Sequence, residues 1–376
     1  MAKGRVCILT TAHSPFDTRI FYKQARSLEQ AGYQVVIIAP YQRSESRGTI
    51  KILGVTPPKN RVSRMIILPF RLIKKALQQG AEIYHIHDPD LLPAAWFIKK
   101  FTPSKIIYDV HENYAEVIKS RSWMPALLRP ILSTWISLIE RALANSLDGI
   151  VAVTEDIQDL FNVRHAVLVR NYPRLDLVKP ERNLDVSSLQ KDSVKLIYVG
   201  DLTRVRGIVE IVKSMEYLDP ASAVELVLVG GYSEQDLEGI LRSLKGFERV
   251  NHLGRVPYSA VADHLLNADV GLVCLHPLPR YKKSLPVKMF EYMAAGLPVV
   301  ASDFPTWRAI IEDCQCGVLV DPESPEDIAE RILSLVENPD LRLRMGQNGL
   351  MAVREKYNWS SEEKKLLGIY HALLQA

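Results

Sequence analysis

Short apolar runs recur along this chain, each followed by a loop and then a helical stretch. Residues 5–10 form the first run. A loop from Thr11 to Arg19 follows, then a helical pattern over residues 20–31 that ends at Gly32. Residues 33–40 form the second run. Strand, helix and strand in that order imply a parallel sheet covered by helices. The pattern continues at 83–87, 105–110, 149–154 and 166–170, which makes one doubly wound domain. It begins again at 195–200 and runs through 224–231, 249–254, 270–274, 298–302 and 317–320. The stretch between the two sets, residues 174–193, is polar and aperiodic and reads as a linker. The expected organisation is an α/β chain of two doubly wound domains, 1–173 and 194–355. Residues 356–376 are helical in pattern, with Trp359, Leu366, Leu367, Tyr370, Leu373 and Leu374 at roughly helical spacing. No strand follows them, so this helix is expected to cross back onto the first domain.

At 376 residues the chain exceeds one ordinary core, which agrees with two domains. No run of eighteen apolar residues exists, so no transmembrane helix is expected. The first residues lead straight into a strand without a signal-peptide pattern. Cys7, Cys274, Cys314 and Cys316 lack zinc-like or redox spacing and read as free thiols of a reducing cytoplasm. A formal net charge of +4 is too mild to argue for nucleic acid. It is compatible with acidic small molecules or an anionic membrane surface.

Residues 281–300 read as loop, helix, turn and strand. Pro286 suits a first helical turn, Gly296 suits the left-handed position after a helix, and Pro298 bars continuation. Lys282, Lys283 and Lys288 crowd the expected helix start, where free N–H groups already carry partial positive charge. A bound phosphate resolves that conflict. Glu291 sits one turn further in, within reach of whatever the phosphate carries. A second such start follows Gly200, where Arg204 and Arg206 precede Gly207 and a helix. A solvated loop with incidental charge is the plainer reading of either stretch. Two together point to phosphate, for which arginine has the better geometry.

In open α/β sheets ligands lie at the carboxyl ends of strands. Three polar groups stand at such ends in the first half. His13, Asp17 and Arg19 lie in the first loop, as substrate contacts or, for Asp17, as a helix cap. His85 and His87 end the strand at 83–87, and Asp88 and Asp90 follow it. Two histidines and two aspartates resemble a metal set, but Pro89 turns the chain, so no metal is expected. His87 and Asp88 are expected instead to line the rim of an inter-domain cleft as substrate contacts. His111 and Glu112 follow the strand at 105–110 and are placed for chemistry or for hydrogen bonds to a polyhydroxyl substrate. Asp109 or Glu112 capping a following helix is the plainer alternative.

Two segments join cations to apolar residues: 61–77, with Arg61, Arg64, Arg71, Lys74 and Lys75, and 121–135, with Arg121, Trp123, Arg129 and Trp135. Such helices can lie on anionic bilayers, or pack against their own domain.

The run Phe290-Glu291-Tyr-Met-Ala-Ala-Gly296-Leu-Pro resembles the GT-B fold retaining glycosyltransferases of family 4, also called group 1. Tyr198-Val-Gly200 through Gly207, and Asn251-His-Leu-Gly254-Arg-Val-Pro257, carry the same resemblance, which runs from Thr11 to Trp359. It implies two Rossmann-like domains facing a cleft, with a nucleoside-diphosphate sugar, most simply a UDP-sugar, bound on the second. It implies that Gly200, Arg204 and Arg206 grip the diphosphate, that Arg255, Val256, Leu285 and Lys288 complete the nucleotide site, and that Glu291 contacts the ribose. It places His111 beside the donor sugar. It also implies transfer without a metal or other cofactor, with the leaving phosphate taking the acceptor proton and Arg204 and Arg206 stabilising its charge. The acceptor is then a glycan or a lipid-linked molecule of surface polysaccharide or glycolipid synthesis. Two departures stand out. Asp201 occupies the place of the family's first phosphate-binding arginine, so Arg204 must compensate. Lys283 occupies the place of the first of two paired glutamates. Those departures keep two other readings open: a nucleotide-sugar epimerase of the same fold, and a non-catalytic nucleotide-sugar-binding subunit.

Overall fold

A computed structural model describes residues 3–119, 125–178, 193–219 and 222–375. The chain divides into two compact units, Met1–Asn171 with Ser360–Ala376, and Tyr172–Trp359. Most of the expected linker, and Arg121 and Trp123 of the second cationic segment, lie outside the described residues.

The first unit is built on an eight-stranded sheet. Its strands are β1 (Arg5–Leu9), β2 (Gln34–Pro40), β3 (Ser44–Arg47), β4 (Ile50–Val55), β5 (Ile83–Ile86), β6 (Lys105–Val110), β7 (Gly149–Ala152) and β8 (Ala166–Leu168). The spatial order is β3-β4-β2-β1-β5-β6-β7-β8, and every pairing is parallel except β3 with β4. Every residue of β5 and β7 is buried, as expected of parallel strands covered on both faces. The chain runs outward from β1 to one side and returns to place β5 on the other. That switch opens a crevice beyond the carboxyl ends of β1 and β5.

The sequence pattern does not announce β3 and β4. The β3 sequence, Ser-Glu-Ser-Arg, is polar because it closes an exposed edge, where charge discourages pairing with another chain. Gly48, with φ 65°, makes the turn between them.

The second unit carries a six-stranded, wholly parallel sheet: β9 (Val194–Val199), β10 (Val224–Val229), β11 (Val250–Gly254), β12 (Val270–Val273), β13 (Val299–Ser302) and β14 (Gly317–Val320). Its order, β11-β10-β9-β12-β13-β14, puts the switch between β9 and β12.

From Ser360 onward the last helix, Trp359–Gln375, belongs to the first unit. Leu366, Ile369, Tyr370 and Leu373 are its buried face. Glu362 accepts a hydrogen bond from the backbone N–H of Arg170 at 2.7 Å. Gly149 opens β7 beneath the helix, where an added Cβ would stand 2.9 Å from Ile369 Cδ1. Gly149→Val is therefore expected to unseat this helix and cost about 1–3 kcal/mol. A lowered urea midpoint at unchanged slope is the readout. An unchanged midpoint would show that the helix does not rest there.

Candidate functional site

Each unit collects polar side chains at its own switch point, and the two collections differ in how their charges are balanced.

In the first unit the end of β6 and the loops after β1, β5 and β6 bring together Thr10, Thr11, His13, Asp88, Asp90, Asp109 and His111. Asp88 is buried; its Oδ2 accepts from Thr10 Oγ1 at 2.6 Å and from the Thr11 N–H at 2.7 Å. Asp90 accepts from Thr11 Oγ1 at 2.7 Å, and burial pushes its carboxyl up to about 6. Asp109 is fully buried and is gripped by Arg19, whose Nε and Nη2 donate to its two oxygens at 2.9 Å each. Gln24 donates to the same carboxylate. Burial works against the charge of Asp109, but Arg19 and the neighbouring histidines outweigh it and hold the carboxyl well below the usual range.

Around this pair lie His85, His87 and His111. Burial lowers the pKa of all three, to about 4 for His85 and well below the ordinary value for His87. His87 Nδ1 and His111 Nε2 are 2.9 Å apart. His85 Nδ1 lies 2.6 Å from the hydroxyl of Tyr370 on the last helix. His13 stacks on His111 with ring centroids 5.3 Å apart, and its Nε2 lies 3.6 Å from Asp88.

Several expectations need correction here. Arg19 does not meet a substrate: it is 2% exposed, and its guanidinium is spent on Asp109 and on the Val169 carbonyl. His87 is 0% exposed and Asp88 is buried, so neither forms a rim. Asp17 is a cap, accepting from the N–H groups of Arg19 and Ile20. Neither Asp109 nor Glu112 caps the helix Tyr114–Lys119; Asn113 does, through the Glu116 N–H. Glu112 is exposed, and His111, 17% exposed at its side chain, remains in reach of solvent. Donor atoms of His85, His87 and Asp109 lie within 4.8 Å of one another, as a metal site needs. The carboxylate between them, however, already has a cation in Arg19.

In the second unit Gly200 ends β9 with φ 134°. The loop after β10 presses on it, since a Cβ at Gly230 would fall 1.9 Å from the Gly200 carbonyl oxygen. Arg204–Arg206 form a single 3-10 turn, and Gly207, with φ 72°, leads into the helix Ile208–Ser214. A Cβ on Gly207 would strike the Cys274 carbonyl oxygen at 1.8 Å, so only glycine lets this loop close onto the end of β12.

Two cations converge on Gly200. A Cβ there would lie 2.9 Å from Lys288 Nζ and 3.4 Å from Arg206 Nη1. Lys288 rises from the first turn of the helix Val287–Ala294 and sets its Nζ 3.8 Å from the centre of the Tyr198 ring. That Nζ is out of solvent contact and has no hydrogen-bond partner among the described residues. Burial, then the charge of Arg206, lowers its pKa well below the ordinary lysine value. Arg206 Nη1 reaches the Asp201 carbonyl at 3.3 Å and its carboxylate at 3.9 Å, and the Tyr198 and Tyr281 side chains lie beside the guanidinium. Three residues on, Glu291 is 8% exposed. Tyr258 donates to its Oε1 at 2.9 Å, and no described residue bonds Oε2. Val256 and Leu285 pack on the apolar core beside it.

The remaining cations are elsewhere. Arg204 is turned away from Gly200 and paired with Glu234 and Asp236, so it does not compensate for Asp201. Lys282 and Lys283 end a separate helix, Pro279–Lys283, and are exposed, so they do not crowd the start at Val287. Arg255 instead crosses Gly231, whose Cβ would lie 2.5 Å from its Nε, and donates to Asp201 Oδ1 at 3.0 Å. Gln24, Tyr258 and Tyr370 escaped the sequence reading. Their partners lie far along the chain, and Tyr370 looked like one more apolar helix position.

The sequence model described as "Glycosyl transferases group 1" matches residues 181–350, and that described as "Glycosyltransferase Family 4" matches residues 18–167. A phosphatidyl-myo-inositol mannosyltransferase of Mycobacterium leprae is 31% identical over 150 residues, 40% of this chain and 38% of that protein. The chain spans less than half the length of that relative and of others it matches. Among solved structures, sucrose-phosphate synthase from Thermosynechococcus elongatus superposes with a TM-score of 0.79 at 18% identity, over 99% of this chain and 100% of that one. Anabaena HepE in complex with UDP-glucose gives 0.72 at 13% identity, over 98% and 100%. At these identities the structures speak for the fold.

Arg19→Met leaves Asp109 buried without its counter-charge and is expected to destabilise the first unit by about 3–5 kcal/mol in urea unfolding. A full-strength fold with only a weakened substrate affinity would restore Arg19 to a contact role.

Proposed function

The chain belongs to the group 1, family 4 glycosyltransferases of GT-B fold, and from that premise we propose that it moves a sugar from a UDP-sugar to a glycan or lipid-linked acceptor with retention. One observation carries the donor site. Arg206, with the Asp201 carboxylate 3.9 Å away, and Lys288 meet at Gly200, and among the described residues Lys288 Nζ is buried without a hydrogen-bond partner. An isolated buried ammonium costs several kcal/mol, and a diphosphate between the two cations removes that cost. The backbone can approach a phosphate closely at Gly200, where no side chain intervenes. Glu291, held by Tyr258 through one oxygen, offers the other to a ribose hydroxyl. Arg255 and Asp201 border the same loop.

The chemistry follows from the charges. As the glycosidic bond to phosphate breaks, the sugar gains oxocarbenium character and the leaving diphosphate gains negative charge. Arg206 and Lys288 stabilise that charge from fixed positions, so no metal is required by this reading. The leaving phosphate oxygen takes the proton of the attacking hydroxyl. His111 supplies a hydrogen bond to the sugar, and Glu112 and His13 are open to the acceptor.

Lys288→Met tests the donor site from two sides. The unliganded protein should become more stable, by about 1 kcal/mol, because an unpaired charge is gone. UDP-sugar affinity should fall at least tenfold, about 1.4 kcal/mol. The panel is UDP-, GDP-, ADP- and dTDP-sugars, read by calorimetry and by nucleotide release. A panel without a binder sinks the reading.

The acceptor proposal rests on the helix Leu128–Ala144, whose polarity is inverted. Ser133 and Glu140 face inward, bonded to the Ala115 carbonyl and the Tyr108 hydroxyl. Burial pushes Glu140 up to about 7. Ile131, Trp135, Leu138 and Ile139 face out, Trp135 being 62% exposed. Packing against its own domain therefore does not explain this apolar face. On the helix Arg61–Leu77, Met65, Ile66 and Phe70 are exposed too, with Arg71 and Lys74. We assign these faces to peripheral contact with an anionic membrane bearing a lipid-linked acceptor. No described helix is long and apolar enough to cross a membrane. Trp135→Ser with Ile139→Ser should abolish flotation with vesicles of anionic phospholipid while leaving nucleotide affinity unchanged. Equal flotation of the variant would remove the membrane role.

A further inference from the structure

We propose that His87 fixes the proton of His111 on Nδ1, so that His111 presents a hydrogen-bond donor and does not act as a base. The argument starts from the 2.9 Å contact between His87 Nδ1 and His111 Nε2, in which one nitrogen must donate and the other accept. Burial disfavours the charged form of both rings, and Arg19 already neutralises Asp109, so each ring carries one proton. If His111 Nε2–H donated, the proton of His87 would sit on its Nε2. That atom is buried and meets no hydrogen-bond partner among the described residues. A buried N–H without an acceptor is the costlier defect, whereas a bare lone pair there is tolerated. His87 therefore donates from Nδ1, and His111 accepts at Nε2 and holds its proton on Nδ1.

The neighbours agree with this assignment. His87 Nδ1 lies 3.7 Å from Asp109 Oδ2, which favours a proton on that nitrogen. Asp109 Oδ1 lies 3.8 Å from His111 Nε2, which by itself would draw the His111 proton inward. The N–H of His87 overrides that pull. His85 Nδ1 is engaged with the Tyr370 hydroxyl at 2.6 Å and its Nε2 lies 3.8 Å from Asp109 Oδ2, so His85 does not compete for His87 Nδ1. No described residue bonds His111 Nδ1, and the side chain is 17% exposed, so its N–H is free for a ligand oxygen. His87 and Asp109 are then positioning residues that act through His111. The inference rests on the sugar-transfer reading only for what that oxygen belongs to.

The test is nitrogen NMR of the full chain labelled at histidine, with His111 assigned by its loss in His111→Asn. A pyridine-like Nε2 and a pyrrole-like Nδ1 on His111 are expected, with no sugar present. The reverse pattern, or a protonated ring at neutral pH, overturns the proposal. His87→Phe keeps the ring stacked on His85 but removes the donor, and the His111 proton should move to Nε2, facing Asp109. A proton that stays on Nδ1 in this variant removes His87 from the argument. Should His87→Phe not fold, the unmodified chain still decides. Turnover adds an independent arm. His111→Asn keeps an N–H near the Nδ1 position and should stay within about tenfold of the parent, while His111→Ala should lose about 100-fold. Equal losses in the two variants would count for a base and against the donor. Failure of UDP-sugar binding with the expected nitrogen pattern would sink the transferase reading alone.

Discussion

Parallel strands covered on both faces leave almost nowhere for polar chemistry to sit. Their side chains are committed to two apolar layers, and only the loops beyond the carboxyl ends escape. The first unit meets this constraint between β1 and β5, the second between β9 and β12. Most of the charged groups of the two candidate sites stand at or near one of those two openings. Glycine is needed at the second because backbone presses on backbone: Gly207 on Cys274, Gly230 on Gly200.

The two openings resolve their charges differently. In the first unit a buried carboxylate is matched by a bidentate guanidinium, and three neutral histidines lie around it. That arrangement balances its buried carboxylate without a ligand. In the second unit two cations approach one glycine, and among the described residues the buried one has no hydrogen-bond partner. On the reading proposed above, an anion supplies it. A closed network suits a group that orients and donates. An open one suits a group that binds.

The inverted helix of the first unit shows the same logic at the surface. Ser133 and Glu140 hold it to the domain by hydrogen bonds, and its apolar residues are left over. A helix fastened by polar contacts costs its domain apolar burial, which is worth about 1.5–3 kcal/mol for each large side chain. The cost is offset only if another apolar phase receives that face.

Local order alone settled much of this protein. The alternation of short apolar runs with helices determined the two parallel sheets, because strand–helix–strand closes in one way. At 281–300 the helix and the turn at Gly296 were legible, but Lys282 and Lys283, which read as part of one cationic helix start, end the helix before it and leave Lys288 in the first turn. Partner choice lay beyond reach of the sequence. Arg204 and Arg206 are two residues apart and look equivalent, yet one turns to Glu234 and the other to Gly200. Arg19 and His87 read as surface contacts until the fold buried them beside Asp109. The β3 edge carried too little hydrophobic signal to be seen at all. A chain determines its periodicity through neighbours a few residues apart. Which charges cancel and which stay open is decided by residues such as Arg19 and Asp109, 90 positions apart, that only the folded sheet brings within hydrogen-bond distance.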